Sequence, residues 1–197
     1  MKVVIIKYNA GNIRSVLFAL ERIGIQAVVT DDHDEIRAAD KVIFPGVGEA
    51  SSAMAYLRSK GLDELLISLK QPVLGICLGM QLMCSFSEEN NTDCLGIFDA
   101  KVTKFDSSNG FKIPQIGWNN ISDLKTDLFD DIQEDEYVYF VHGYYVSKCA
   151  ESIATTDYVT EYSSAIHKNN FYAVQFHPEK SGSAGQKILE NFIFKIN

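Results

Sequence analysis

The chain has 197 residues, of which 46% are hydrophobic and 22% charged, as in globular rather than disordered or fibrous proteins. This length predicts a single domain over residues 1–197, with a core that needs no disulfide or metal ion. The formal net charge of −8 argues against nucleic-acid binding, because no lysine or arginine run offsets a surface that repels phosphate.

The four cysteines, at positions 77, 84, 94 and 149, have neither metal-site spacing nor the density of a secreted disulfide scaffold. We therefore expect a reducing, cytoplasmic setting. No metal cluster or dinucleotide fingerprint is present, so no cofactor is predicted. The apolar run at residues 3–6 is too short for a signal peptide or a membrane span, so no membrane association is expected.

Strand-like and helix-like segments alternate through the first half of the chain. A turn-prone stretch at residues 9–12 separates the first strand from an amphipathic helix, and helices are also expected after residue 48 and from Leu78 to about Phe86. The predicted strands are residues 3–6, 27–29, 41–44 and 72–76. This alternation predicts an α/β fold with a mostly parallel central sheet flanked by helices.

The second half of the chain has a different pattern of predicted elements. Short strand-like runs at residues 102–105, 137–141 and 171–176 are separated by polar turns, which predicts antiparallel additions and the last core strand. A closing helix is expected from about Ala184 to Ile196, because its apolar residues share one face.

Gly75-Ile76-Cys77-Leu78-Gly79 has the pattern of a nucleophile elbow, with cysteine as the nucleophile. The glycines permit close backbone approach at a strand-to-helix turn. The helix N-terminus then favours the thiolate of Cys77, which is the form that attacks. The competing interpretation is that Cys77 is a buried small hydrophobe, which is the commoner role of a lone cysteine after an apolar strand.

A base for Cys77 is available in Gln175-Phe176-His177-Pro178-Glu179. In an extended segment alternate residues share a face, so His177 and Glu179 are expected to point the same way. The carboxylate could then orient one imidazole nitrogen while the other faces the nucleophile. His33 and His167 are expected to be solvated loop residues, and His142 is expected to be a hydrogen-bonded structural residue outside this triad.

Acyl chemistry also needs donors for a developing oxyanion. The amide of Leu78 is one candidate, and the loop at Gly46, Val47 and Gly48 is another, although this loop could be a plain strand-ending turn. The loop, Cys77 and the His177 pair all follow predicted strands. We therefore expect them to meet at the carboxyl edge of the sheet, where open parallel sheets bind ligands.

Three motifs together resemble the triad-type (class I) glutamine amidotransferases: residues 45–48, 75–81 and 176–181. Residues 11–16, 117–119 and 178–181 more narrowly resemble the glutaminase subunits of imidazole glycerol phosphate synthases. This resemblance covers nearly the whole chain. It implies hydrolysis of L-glutamine through a thioester and transfer of the ammonia to a separate (β/α)₈-barrel cyclase subunit.

The resemblance also implies roles for matched residues. Cys77 would attack the carboxamide, with His177 and Glu179 handling protons and Leu78 and the Gly46–Gly48 loop holding the oxyanion. Residues implied in substrate binding are Gln81, Glu89, Gly143 and Tyr144. Residues implied at the cyclase interface or the ammonia route are Trp118, Asn119, Tyr139 and Lys180.

This sequence departs from the family pattern at residues 7–9, at Gln115 and at Gly143, which we expect to lie near the partner side. The acceptor of the ammonia therefore stays open. Paralogous subunits supply ammonia for sugar amidation in surface polysaccharide synthesis. The sequence also leaves room for a catalytically silent regulatory subunit or a cysteine hydrolase of the same broad fold, although the intact triad argues against the first.

Overall fold

The computed structural model describes residues 1–9 and 11–197, so Ala10 of the predicted turn lies outside the described residues. The helices are α1 (Ile13–Arg22), α2 (His33–Arg37), α3 (Ala50–Ser59), α4 (Leu62–Ser68), α5 (Leu78–Met83) and α6 (Gly182–Phe194). The strands are β1 (Val3–Ile6), β2 (Ala27–Thr30), β3 (Lys41–Phe44), β4 (Val73–Ile76), β5 (Phe86–Ser87), β6 (Thr92–Asp93), β7 (Lys101–Lys104), β8 (Gln115–Ile121), β9 (Glu136–His142), β10 (Tyr144–Ser147), β11 (Ser152–Tyr158), β12 (Thr160–Lys168) and β13 (Phe171–Val174).

Within the described residues, 11 strands form one sheet, and β8 and β9 form a separate antiparallel pair. The main order is β2-β1-β3-β4-β13-β12-β10-β7-β5-β6, with β11 beside β12. Strands β2, β1, β3, β4 and β13 are mutually parallel. Strand β12 then pairs antiparallel with both β13 and β10. The predicted α/β class, with a parallel core and antiparallel additions, is confirmed.

Alternate residues of the central strands point into two hydrophobic cores, one on each face of the sheet. In β1, Val4 and Ile6 belong to one core, whereas Val3 and Ile5 belong to the other. All four side chains are buried, because helices cover both faces of a parallel sheet. No helix among the described residues is both long and apolar enough to cross a membrane.

Two predicted helix boundaries are corrected. Helix α5 ends at Met83 rather than near Phe86, because the carbonyls of Leu82 and Met83 accept hydrogen bonds from Leu95 and Phe98 at 2.9 and 3.0 Å. The following residues then join the sheet as β5. Helix α6 spans Gly182–Phe194, two residues N-terminal to the predicted span.

Helix α5 approaches β3 more closely than any side chain would allow. A Cβ atom added to Gly79 would lie 1.9 Å from the carbonyl oxygen of Phe44. This contact involves backbone on both sides, so it cannot be relieved by a side-chain rotation. Gly79 therefore sets the distance between the first turn of α5 and the sheet.

We expect Gly79→Ala to lower the free energy of unfolding by at least about 3 kcal/mol, because Phe44 would have to move away from the sheet. Gly143→Ala is the matched control, since its Cβ would lie 3.8 Å from Pro114 Cβ, an ordinary contact. Urea unfolding of both variants measures the difference. Equal stabilities would show that the α5 backbone can shift freely.

Candidate active site

Cys77 stands at the junction between β4 and α5. Its φ of 54° and ψ of −108° are neither strand nor helix values, as expected of a strained nucleophile elbow. The Cys77 N–H donates to the carbonyl of Val174 at 2.8 Å, and its own carbonyl accepts from Gln81 N–H at 3.2 Å. The backbone on both sides of Cys77 is therefore held by the sheet and by the first turn of α5.

His177 and Glu179 follow β13, the strand beside β4. Both side chains are buried, and His177 Nδ1 bonds Glu179 Oε1 at 2.8 Å. The expected extended geometry is wrong, because Pro178–Lys180 forms a turn of 3₁₀ helix. That turn, rather than strand alternation, brings the carboxylate back to the imidazole.

The imidazole of His177 is strongly polarised by its neighbours. Burial by itself lowers the pKa of His177, but the Cys77 sulfur and Glu179 outweigh it and raise the pKa to about 10. Nε2 of His177 is buried and has no hydrogen-bond partner among the described residues. The nitrogen that does not face Glu179 is therefore open to accept or deliver a proton near Cys77.

Gln175 is a site residue that the sequence analysis missed. Its amide group lies 3.6 Å from Cys77 Sγ, and its Oε1 accepts from Gln81 Nε2 at 2.9 Å. No local sequence pattern marked this residue, because its place follows from the pairing of two distant strands. Val174 is opposite Ile76, so Gln175, which follows β13, lies beside Cys77.

The Leu78 amide, expected to face the oxyanion, donates to the carbonyl of Gly46 at 3.3 Å. The loop that follows β3 is thus in contact with the elbow, as predicted, but through a carbonyl. Tyr8 Oη holds the same loop by donating to Pro45 O at 2.6 Å. In this conformation the Leu78 N–H is engaged and not directed at a ligand.

A cavity of about 260 Å³ opens above Cys77. This lies just below the roughly 300–1,000 Å³ of drug-sized ligand sites, so it suits a molecule the size of an amino acid. All four residues implied in substrate binding line it, together with Val47, Gly48 and Leu78: Gln81, Glu89, Gly143 and Tyr144. No group of three or more side chains suited to bind a metal occurs in the described part of the chain.

Glu89 and Gln81 are held in place at this cavity. Burial raises the pKa of Glu89, while a hydrogen bond of 2.8 Å from the Ala50 N–H opposes that shift. The amide nitrogen of Gln81 donates to Tyr144 O at 3.0 Å and to Gln175. A partly desolvated carboxylate of this kind gains from a cationic ligand such as an ammonium group.

Three of the four residues implied at the partner side lie together. Trp118 packs edge-on against Tyr139 at 5.9 Å between ring centroids, and Lys180 Nζ lies 5.9 Å above the Tyr139 ring. Asn119 does not join them, because its side chain bonds Asp157 O at 3.0 Å. We define Trp118, Tyr139 and Lys180 as the aromatic patch.

Gln115 does not lie toward the partner side as expected. Its side chain is buried and accepts a hydrogen bond of 3.0 Å from Tyr162 Oη. The same tyrosine contacts His142 Nε2 at 3.2 Å, while His142 Nδ1 bonds Tyr144 O at 2.7 Å. His142 is therefore hydrogen-bonded on both nitrogens within the core, as a structural histidine would be.

The family model for class-I glutamine amidotransferases matches residues 4–196. The chain belongs to this family. Imidazole glycerol phosphate synthase subunit HisH of Bacteroides fragilis is 60% identical over 194 residues, covering 98% of this chain and 99% of the relative. The protein of the same name from Haemophilus influenzae is 45% identical over 197 residues, covering 100% of this chain and 98% of the relative.

Solved structures agree on the fold of this amidotransferase. PurLQS from Thermotoga maritima superposes with a TM-score of 0.72 at 15% identity, covering 100% of this chain and 99% of that chain. The match of the family model confirms the family resemblance predicted from the three motifs. At this identity the likeness concerns the fold alone.

In this amidotransferase, His142 should make stability sensitive to acid. Burial lowers the pKa of His142 to about 4 against the opposing effect of the hydrogen bond to the Tyr144 carbonyl, and the charge of His177 adds a smaller lowering effect. Because the unfolded histidine titrates near ~6.5, the unfolded chain binds more protons between these values. Stability should therefore fall by on the order of 3 kcal/mol as the pH drops from 6.5 to 4.

Urea unfolding across this pH range should show that loss in the wild type but not in His142→Gln. His33→Gln, at a half-buried position near α4, is the control and should follow the wild type. Parallel curves for the wild type and His142→Gln would exclude His142 as the acid-sensitive group.

Proposed function

We propose that the protein is the glutaminase subunit of imidazole glycerol phosphate synthase and acts in histidine biosynthesis as one domain of residues 1–197. The observation that carries this proposal is the strained elbow at Cys77 beside the buried pair of His177 and Glu179, at the base of an amino-acid-sized cavity. The names of relatives up to 60% identical over nearly the full length support the pathway.

The reaction begins when the Cys77 thiolate attacks the carboxamide carbon of L-glutamine. The tetrahedral intermediate collapses as the protonated imidazole of His177 gives its proton to the departing nitrogen, releasing ammonia and leaving a thioester. The neutral imidazole then takes a proton from water, whose oxygen attacks the thioester to give glutamate and free Cys77. The raised pKa of His177 supports this order, since the imidazole starts as the acid.

The engaged Leu78 amide supports a low activity of the isolated subunit. Its N–H can stabilise an oxyanion only after the Gly46 carbonyl has left it, and glycine at positions 46 and 48 permits the backbone rotation that this requires. We infer that binding of the synthase partner favours the rearranged loop. The subunit alone would then hydrolyse little glutamine.

Substrate binding follows from the cavity lining. Glu89 would pair with the α-ammonium of glutamine, which offsets the desolvation of this carboxylate. Gln81, Gly143 and Tyr144, which line the same cavity, would hold the rest of the substrate. Cys77, also in the lining, would then face the carboxamide.

The partner would be a (β/α)₈-barrel cyclase subunit that binds at the aromatic patch. Ile116 and Trp118 lie two residues apart on β8 and so share a face; they are 55% and 54% exposed, and Tyr137 on β9 is 58% exposed. Aromatic residues exposed on one face are typical of a protein interface. Ammonia would cross this face, near Tyr139 and Lys180, whereas Asn119 would act from the rim of the interface.

The assignment of the ammonia acceptor rests on the names of the relatives rather than on the geometry of the site. Names that include imidazole glycerol phosphate synthase favour the histidine pathway over sugar amidation. Neighbouring reading frames that encode histidine-pathway enzymes would agree with this proposal, whereas sugar-modifying genes would contradict it. A cytoplasmic setting is proposed on the ground that the four cysteines are unpaired in the described chain.

We expect Cys77→Ala to lower glutamine-dependent synthesis by the complex at least about 10⁴-fold, because Cys77 carries the only thiol among the described residues that line the cavity. Synthesis with added ammonium salts should continue at the wild-type rate, since the partner is intact. Cys94→Ala is the control for thiol removal and should leave both rates unchanged. Glutamine hydrolysis by Cys77→Ala would remove this residue from the mechanism.

A glutamine-mimicking diazo-ketone separates this proposal from a silent regulatory subunit. In the complex it should label Cys77 once per chain, as measured by intact mass and peptide mapping. A subunit that takes up no label under conditions of full synthase activity with ammonia would be regulatory.

A further inference from the structure

Asn12 occupies an unusual position at the start of α1. An asparagine at a helix N-cap ordinarily accepts a hydrogen bond from the first helical turn through its side chain. The Asn12 side chain makes no such bond, and its backbone is left-handed, with φ 73° and ψ 4°. Its amide nitrogen instead donates to Glu179 Oε1, 167 residues along the chain.

Glu179 depends on few groups to hold its charge and its orientation. Its side chain is inaccessible to solvent, and its one ion pair within the described residues is with His177. Oε1 accepts from both His177 and Asn12, whereas Oε2 has no partner in the described part of the chain. Of the two donors to this carboxylate, His177 can lose its proton, whereas the amide of Asn12 cannot.

We propose that Asn12 is a positioning residue that fixes the Glu179 carboxylate against His177. This inference rests on the proposed glutaminase function and adds a residue to that site. By holding Oε1, Asn12 prevents the carboxylate from rotating when the imidazole loses and regains its proton. The Nδ1–H of His177 then stays directed at Glu179, so Nε2 remains aimed at Cys77 and the leaving nitrogen.

Two substitutions isolate this role. Asn12→Gly deletes the amide without strain, because glycine tolerates φ 73°. Asn12→Asp keeps the shape but replaces the donor with a carboxylate beside Glu179. Asn9→Ala is the matched control, because Asn9 is an asparagine three positions earlier in the sequence and its side chain bonds Ser52 O at 3.3 Å, rather than Glu179.

All variants are assayed as the complex with the synthase partner, and thermal unfolding is recorded for each. Asn12→Gly should lower kcat for glutamine about tenfold or more, which is the loss expected when a hydrogen bond to a charged group is removed. KM should stay within about twofold of the wild-type value. Asn12→Asp should also move the acid limb of the kcat profile to higher pH, since two adjacent carboxylates raise each other's pKa. Asn9→Ala should match the wild type.

A kcat for Asn12→Gly equal to that of the wild type would overturn the inference. So would an Asn12→Asp profile with an unmoved acid limb, because a structural tether does not alter proton binding. Diazo-ketone labelling distinguishes failure of the glutaminase function from failure of the positioning role of Asn12. If wild-type Cys77 takes up no label, the glutaminase function itself fails; if it is labelled and the Asn12 variants are unaffected, only the positioning role fails.

Discussion

Parallel pairing between β4 and β13 is the contact on which this site depends. The two strands lie about a hundred residues apart in the chain, and their register places Val174 opposite Ile76. Each strand is buried on both sides, so a slip would break the alternation that feeds the two cores. The backbone bond from Cys77 to Val174 extends this pairing into the elbow. Chemistry at the sheet edge is therefore set by the same hydrophobic packing that stabilises the domain.

Polar side chains connect Asn12 through Glu179 to His177, beside Cys77. Glu179 has two donors on a single oxygen, and the far nitrogen of His177 is left without a partner among the described residues. Such an open buried nitrogen is costly for stability but useful for proton transfer. His142 is the contrast. It is nearby and equally buried, but both its nitrogens are engaged, so it supports the wall of the cavity.

The backbone of β9 connects the aromatic patch to the segment that carries His177 and Glu179. The His177 N–H donates to Tyr139 O at 2.9 Å, and the Tyr139 N–H donates to Ser181 Oγ at 2.9 Å. A partner that presses on Tyr139 would therefore act on the segment that carries His177 and Glu179. This link is compatible with a glutaminase whose activity depends on its partner, since the surface and the site share one strand.

The sequence by itself determined the strand–helix alternation of the first half, the elbow at Cys77 and the family, because these depend on local periodicity and on short motifs with strict steric requirements. It also predicted that His177 and Glu179 lie together, but it assigned an extended backbone where the chain forms a turn of 3₁₀ helix. Only the tertiary structure decided what depends on atoms far apart in the chain. Gln175 reaches Cys77 because of strand register, Gln115 faces inward because Tyr162 is there, and the Leu78 amide is engaged because a loop from another strand meets it. No local window of sequence shows such contacts, since they form only when strands from distant parts of the chain pair in the folded sheet.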